Sequence, residues 1–321
     1  MNTGTLERQL EKALNDRHSS PGLSVLRSTI QFHSSSLFPL FRWQVHLSDG
    51  SAPVYALKQV NGLQMTLSEA DGLAMLATHG ARTPSVVGVL SASDDAAEGP
   101  ASKREMGSEG GADRQGVYYL AMQFIEHRAV DRLLAKEDLL GSLQRLYSFS
   151  AEAFGYQRFN YVGSLEQRNG LHVTFEEFWW QDRIQPMLAL CQSMGRLRGL
   201  AEVRIEQTIH RCIERLDLAS ERPTPVHGDL WSGNVLFSGS EAYLIDPSVA
   251  YSLPEQDFAM LELFGSPLTM DDYRSLRDIP VDLLKRRIEF FQLYPLLVHV
   301  ALFGGSYERQ ALQLLERIAS A

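Results

Sequence analysis

Hydrophobic residues follow two rhythms along this chain, an alternating one near its start and a helical one over most of the rest. Ser24 to Phe32 and Phe38 to Leu47 are rich in Val, Ile, Phe and Trp, Asp49-Gly50 marks a turn, and Val54 to Val60 (VYALKQV) follows as a third short apolar run. This pattern predicts three antiparallel strands in succession. Ahead of them, Met1 to Arg17 places Leu6, Leu10 and Leu14 on one face of an otherwise polar helix and lacks the apolar core of an export signal. After them, Leu67 to His79 takes helical spacing, with Leu67, Ala70, Leu73, Ala74 and Ala77 along one side and Gly80 placed to end it.

Ser85 to Leu90 and Val117 to Ile125 read as two further strands. Residues 91–116 between them are dense in Ala, Gly, Ser and mixed charge, which predicts a mobile insert loop joining neighbouring strands as a long hairpin connection. From Asp131 onward the rhythm is helical over Asp138 to Ala153, Thr174 to Cys191 and Arg198 to Leu216, with one short strand cluster at Val235 to Ile245. The expected class is α+β: a small antiparallel-sheet lobe over residues 1–125 and a larger helical lobe over 126–321.

Composition narrows the partners. With 30 Lys and Arg against 39 Asp and Glu the formal net charge is -9, which gives no general attraction to nucleic acid or an anionic membrane. The most apolar stretch, Ile288 to Phe303, is interrupted by Glu289, Gln292, Pro295 and His299, so it reads as a buried helix rather than a membrane span. The two cysteines, Cys191 and Cys212, form no metal-binding or disulfide pattern and fit a reducing cytoplasm. A monomer is the expected state.

The chemistry concentrates in Val226 to Phe237. His227, Asp229 and Asn234 stand at relative positions 1, 3 and 8, the His-x-Asp-x4-Asn spacing of a protein-kinase catalytic loop. An Asp early in such a loop can face an attacking hydroxyl, and an Asn five residues later can turn toward a divalent cation on the phosphates of ATP. Twelve residues beyond Asn234, Asp246 ends a strand-like run and is the expected second ligand for Mg²⁺, a hard cation that takes oxygen donors. In the first lobe, Lys58 lies within an apolar strand and Glu69 in the helix after it, the pairing by which a lysine is held on α- and β-phosphates. Gln123, Phe124 and Ile125 are candidates for adenine, with Met122 behind them. The turn near His33 has no glycine, leaving Ser34 and Ser35 to meet the phosphates.

The filling of the loop is more specific than its frame. His227-Gly228-Asp229-Leu230-Trp231-Ser232-Gly233-Asn234 resembles the signature of the fructosamine kinase (ketosamine-3-kinase) family, as do Asp246-Pro247 with Tyr251 and the run Asp257 to Gly265. Asn160 to Gly163 with Gln167 and Asn169, Phe178 to Arg183, and Leu293 to His299 with Phe303-Gly304-Gly305 also look like that family. The resemblance implies a protein-kinase-like two-lobe fold and ATP-dependent phosphorylation of the 3-hydroxyl of a ketoamine, free or protein-bound, as a step in protein deglycation. Aminoglycoside and choline phosphotransferases share the outer frame, and a kinase-shaped binding module without activity is a further alternative.

Departures from the family include Tyr147 where a His is usual and Ser252-Leu253 where a Gly-containing pair is usual. Asp229 is expected to orient the hydroxyl and accept its proton, and Asn234 and Asp246 to hold Mg²⁺. His227 and Asp257 are expected to support the loop. Trp231 has two readings, a ring stacked on the sugar or a packing residue.

Overall fold

The computed structural model describes residues 2–18, 22–35, 38–93 and 116–320, with His18 and Ser35 described in their main chain only. Most of the expected insert loop, residues 94–115, and its expected mobility lie outside the described residues. The chain divides into two compact units, residues 1–75 with 83–129, and residues 76–82 with 130–321.

The first unit opens with α1 (Thr3–His18) and continues through β1 (Val25–Ser35), β2 (Pro39–Leu47), β3 (Val54–Asn61), α2 (Leu63–Thr78), β4 (Val86–Ser91) and β5 (Val117–Gln123). The strands form one antiparallel sheet in the order β1-β2-β3-β5-β4. Strand alternation gives this sheet two faces. Leu6, Leu10 and Leu14 of α1, spaced to share one helix face, pack with Trp43, Tyr55, Leu57 and Tyr119 on one side. Removing each of these leucines from water contributes about 1.5–3 kcal/mol before entropy is subtracted. Ala56, Leu73, Leu120 and Met122 form a second cluster. Lys58 lies two residues from Ala56 and so shares its face, which is how a lysine in an apolar strand comes to meet α2.

The second unit contains α3 (Arg132–Tyr147), β6 (Phe154–Gly155), β7 (Asn160–Val162), β8 (Leu165–Gln167) and β9 (Leu171–His172). α4 (Phe175–Phe178) then runs through a π-helical turn, Trp179–Ile184, into α5 (Gln185–Ser193), followed by α6 (Glu202–Arg215) and β10 (Thr224–Val226). Next come β11 (Val235–Ser238), β12 (Glu241–Leu244), β13 (Ala250–Ser252), α7 (Glu255–Phe264), α8 (Met270–Leu276), α9 (Val281–Phe291), α10 (Leu293–Phe303) and α11 (Ser306–Ser320). Short strands form a sheet of order β10-β13-β6-β9 and the two hairpins β11-β12 and β7-β8.

Helix boundaries differ from the hydrophobic reading in several places: α2 begins at Leu63 rather than Leu67, α3 ends at Tyr147 rather than Ala153, and α6 begins at Glu202 rather than Arg198. α3 begins at Arg132 rather than Asp138, because the Asp131 carboxylate accepts the Leu133 and Leu134 N–H groups and caps it there. The apolar stretch Ile288 to Phe303 is the end of α9 and all of α10, divided at Gln292, with Pro295 placed in the first turn of α10 where its missing N–H breaks no bond. Among the described residues no helix is long and apolar enough to cross a membrane.

Candidate active site

β10 delivers the chain into the loop at His227, which is fully buried. Its Nε2–H donates to the Ile245 carbonyl at 2.9 Å, and Nδ1 accepts from the Asp229 N–H at 3.3 Å. Burial pushes its pKa down to about 4, so the ring is neutral and acts as a clamp on the loop. Gly228 follows with φ +83°, and a Cβ there would stand 1.9 Å from the Ser248 carbonyl oxygen. Only glycine fits.

Asp257 holds this corner from behind. Its Oδ2 accepts from the His227 N–H at 2.9 Å and from the Tyr147 hydroxyl at 2.9 Å, while Oδ1 accepts from the Gly228 N–H at 2.8 Å. Burial pushes the Asp257 pKa up to about 6 against the pull of these three donors. Tyr147, a departure from the family pattern, therefore has a defined place as the third donor. Ionised Asp257 can accept all three bonds. A protonated carboxyl would turn one oxygen into a donor facing donors.

Signs follow from these shifts. With its folded pKa raised above the ordinary 3.8, Asp257 contributes stability that is present below pH 3.8 and lost as pH rises through about 6. His227 acts oppositely, contributing stability present above pH 6.5 and lost as pH falls through about 4. Protonation would set an O–H of Asp257 against the His227 and Gly228 N–H groups, so turnover is expected to fall below pH about 6. Tyr147→Phe removes a bond that lowers this pKa and should move the acid limb of the pH–rate profile to higher pH; a limb left in place by that change would contradict the assignment.

Asp229 is partly exposed at the front of the loop. The Asn234 side-chain Nδ2 donates to the Asp229 main-chain carbonyl at 2.8 Å and to Asp229 Oδ2 at 3.2 Å, and the amide's Oδ1 is the atom that suits a cation. Pairing of Val235 with Leu244 in the β11-β12 hairpin, and the Ile245 N–H on the Asn234 carbonyl at 3.1 Å, bring Asp246 close to Asn234. Asp246 adopts φ +54°, a left-handed conformation that costs a non-glycine residue about 1–2 kcal/mol. Among the described residues no cluster of three or more His, Cys, Asp or Glu could hold a metal. The Asn234 and Asp246 oxygens suit Mg²⁺, which commonly takes one or two protein carboxylates and completes its shell from phosphate and water.

Trp231 is 38% exposed, so it is not a core residue. Its ring lies over Gly233, where an added Cβ would meet ring carbons at 2.3–2.7 Å. The loop is tied to the end of α7 by the Ser232 N–H on the Gly265 carbonyl at 3.0 Å. Gly233→Ala should therefore displace the indole and raise the acceptor KM several-fold with the ATP KM unchanged. The other tryptophans, Trp43, Trp179 and Trp180, are 0%, 0% and 8% exposed, so acrylamide quenching reports mainly on Trp231 and should change in this variant.

Beside Asp229 lies a small, partly open recess whose lining includes Gly228, Gln256, Tyr294 and His299. Tyr294 is held by a chain of buried amides. Its hydroxyl donates to Gln167 Oε1 at 2.6 Å, Gln167 Nε2 donates to Asn160 Oδ1 at 2.8 Å, and Asn160 Nδ2 donates to the Val249 carbonyl at 2.7 Å. Asn169 joins through Nδ2 to Asn160 Oδ1 at 2.9 Å and is itself fixed by Arg183 at 2.8 Å. Burial pushes the Tyr294 hydroxyl up to about 12, so it stays protonated as a donor. The Asn-x6-Gln-x-Asn spacing thus serves to position a tyrosine on the recess wall.

In the first unit the Lys58 ammonium and the Glu69 carboxylate form a buried ion pair at 2.7 Å, and Lys58 also lies 5.1 Å from the Phe38 ring centroid. Met122 is buried at the end of β5. The Gln123 N–H donates to the Ser85 carbonyl at 2.9 Å and the Phe124 N–H to that of Val54 at 3.4 Å. Ser34 pairs with Leu40, and the Ser35 main chain with Pro39, as the last residues of β1.

A small antiparallel sheet carrying a lysine–glutamate pair, and a helical unit carrying His227, Asp229 and Asn234, define a protein-kinase-like phosphotransferase. The fold agrees: the chain matches the structure of aminoglycoside phosphotransferase APH(4)-Ia in complex with AMP-PNP and hygromycin B with a TM-score of 0.56, covering 97% of each chain at 12% identity. Residues 42–321 match the profile of the family described as Fructosamine kinase. The chain is 35% identical over 205 residues to the protein named Probable ketoamine kinase from Enterococcus faecium, covering 62% of this chain and 71% of that one. It also matches a Thermobifida fusca structure assigned as a fructosamine-3-kinase with a TM-score of 0.70 and 28% identity, covering 93% of this chain and 95% of that one. The chain belongs to the fructosamine kinase family of ATP-dependent phosphotransferases.

Proposed function

We propose that this enzyme transfers the γ-phosphate of ATP to the 3-hydroxyl of a small-molecule or protein-bound ketoamine, a step in protein deglycation. The observation that carries the reading is Asp229, fixed by Asn234 at the mouth of a recess lined with hydrogen-bonding side chains inside the Leu-Trp-Ser-Gly loop. Asp229 orients the sugar hydroxyl and accepts its proton as the bond to phosphorus forms. The phosphoryl transition state is loose, so placement of the hydroxyl contributes more than the basicity of the carboxylate. Asn234 and Asp246 would hold Mg²⁺, which when bound neutralises charge on the phosphates.

Lys58, oriented by Glu69, takes the α- and β-phosphates, with Ser34 and Ser35 assisting. Met122, Gln123, Phe124 and Ile125 accept the adenine ring. Trp231 lies against the sugar. His227 and Asp257 act by holding the loop.

A panel of ribulosamine, fructosamine, aminoglycoside and choline acceptors with Mg-ATP tests the reading. Turnover of ketoamines alone is the expected result. Transfer only to aminoglycosides or choline would overturn it.

A further inference from the structure

α7 begins with three consecutive polar residues, Glu255, Gln256 and Asp257, and all three are buried, at 0%, 1% and 0% exposure. Two of them are engaged. Glu255 accepts from Arg277 at 3.0 Å and from Arg287 at 3.3 Å, and Asp257 accepts from the catalytic loop and Tyr147. Gln256, between them, has no hydrogen-bond partner among the described residues at either Oε1 or Nε2. It lines the recess that Asp229 also lines. Leaving a buried amide unsatisfied is costly, and most buried polar side chains in folded proteins are paired.

We infer that Gln256 is a specificity residue of the acceptor site, whose carboxamide hydrogen-bonds a hydroxyl of the sugar next to the one that Asp229 presents to phosphate. The inference rests on reading the recess as the ketoamine site. A primary carboxamide offers two donors and an acceptor on one planar group, which matches adjacent hydroxyls of a polyol, each of which can give and receive a hydrogen bond. Val162, Met260 and Val298 supply the apolar part of the same wall and suit the C–H face of a sugar. The Tyr294 hydroxyl donates to Gln167, and His299 Nδ1 bonds the Pro295 carbonyl at 2.8 Å. Gln256 is therefore the lining carboxamide with its full capacity open. A site that hydrogen-bonds a substrate hydroxyl strongly rejects an analogue lacking it, because the site's own group is then left buried and unpaired.

The test compares the wild-type enzyme with Gln256→Met, close in volume but without the amide, and with Gln256→Glu. Each is assayed on the best ketoamine of the acceptor panel and on its 4-deoxy and 5-deoxy forms. In the wild type the 4-deoxy form, which lacks the neighbouring hydroxyl, should lose about 10–100-fold in kcat/KM, the equivalent of about 1.4–2.8 kcal/mol. Gln256→Met should lose a similar factor on the parent, mostly in KM, and should no longer distinguish the parent from that deoxy form. Gln256→Glu, which keeps an acceptor oxygen, should retain part of the discrimination. The ATP KM should not move. An equal loss by Gln256→Met on the parent and every deoxy form, or no loss on the parent, would overturn the inference while leaving the ketoamine reading intact. A folded wild type that binds an ATP analogue but phosphorylates no ketoamine would overturn both.

Discussion

Asp229→Ala is expected to lower acceptor phosphorylation by about 10³-fold or more while the protein folds normally, within the range for removing a positioned catalytic acid or base. The side chain is partly exposed, and its carboxylate accepts from Asn234 Nδ2 at 3.2 Å. The stronger Asn234 bond at 2.8 Å goes to the Asp229 main-chain carbonyl, which the substitution keeps. Loop geometry and ATP binding should therefore survive, with the loss concentrated in kcat. Steady-state assays of ADP release and acceptor phosphate, beside a thermal melt, separate the effects. Undiminished transfer would mean that another group presents the hydroxyl.

Gly228→Ala is expected to be as damaging by a different route. The added methyl would stand 1.9 Å from the Ser248 carbonyl oxygen, on a backbone already at φ +83°. The strand-to-loop corner would have to open, loosening the His227 and Gly228 N–H bonds to Asp257 and the Ser248 N–H bond to the His227 carbonyl. A destabilisation of about 3–5 kcal/mol with nearly complete loss of activity is expected. Gly199 is a built-in control. It has the same φ of +83° and nothing within 4 Å of its would-be Cβ, so Gly199→Ala should cost only the backbone strain of about 1–2 kcal/mol. Equal denaturation midpoints for the two variants would show that the clash at Ser248 is relieved without consequence.

Local patterns carried the parts of this site that are close in sequence. The Lys58–Glu69 pair followed from a lysine in an apolar strand and a glutamate in the helix after it, and the Asn234–Asp246 neighbourhood from a short hairpin. Contacts that close over long separations had no local signature. Tyr147 reaches Asp257 across 110 positions, and Tyr294 reaches Gln167 across 127. Gln256 was invisible for another reason: polar residues at the start of a helix normally face solvent, and only packing of α7 shows that these do not. α3 was misplaced because Asp131 resembles a loop residue until its carboxylate is seen capping the first turn. Trp231 was left between two readings, and the contact of its half-exposed ring with Gly233 explains why that glycine accompanies it in the loop.

The most direct test is the position of the new phosphate. Wild-type enzyme with Mg-ATP and a fructosamine or ribulosamine should give a product whose phosphorus couples, in two-dimensional NMR, to the proton on the third carbon of the sugar, and Asp229→Ala should give none. Phosphate on a different hydroxyl, or found only on an aminoglycoside or choline, would contradict the account.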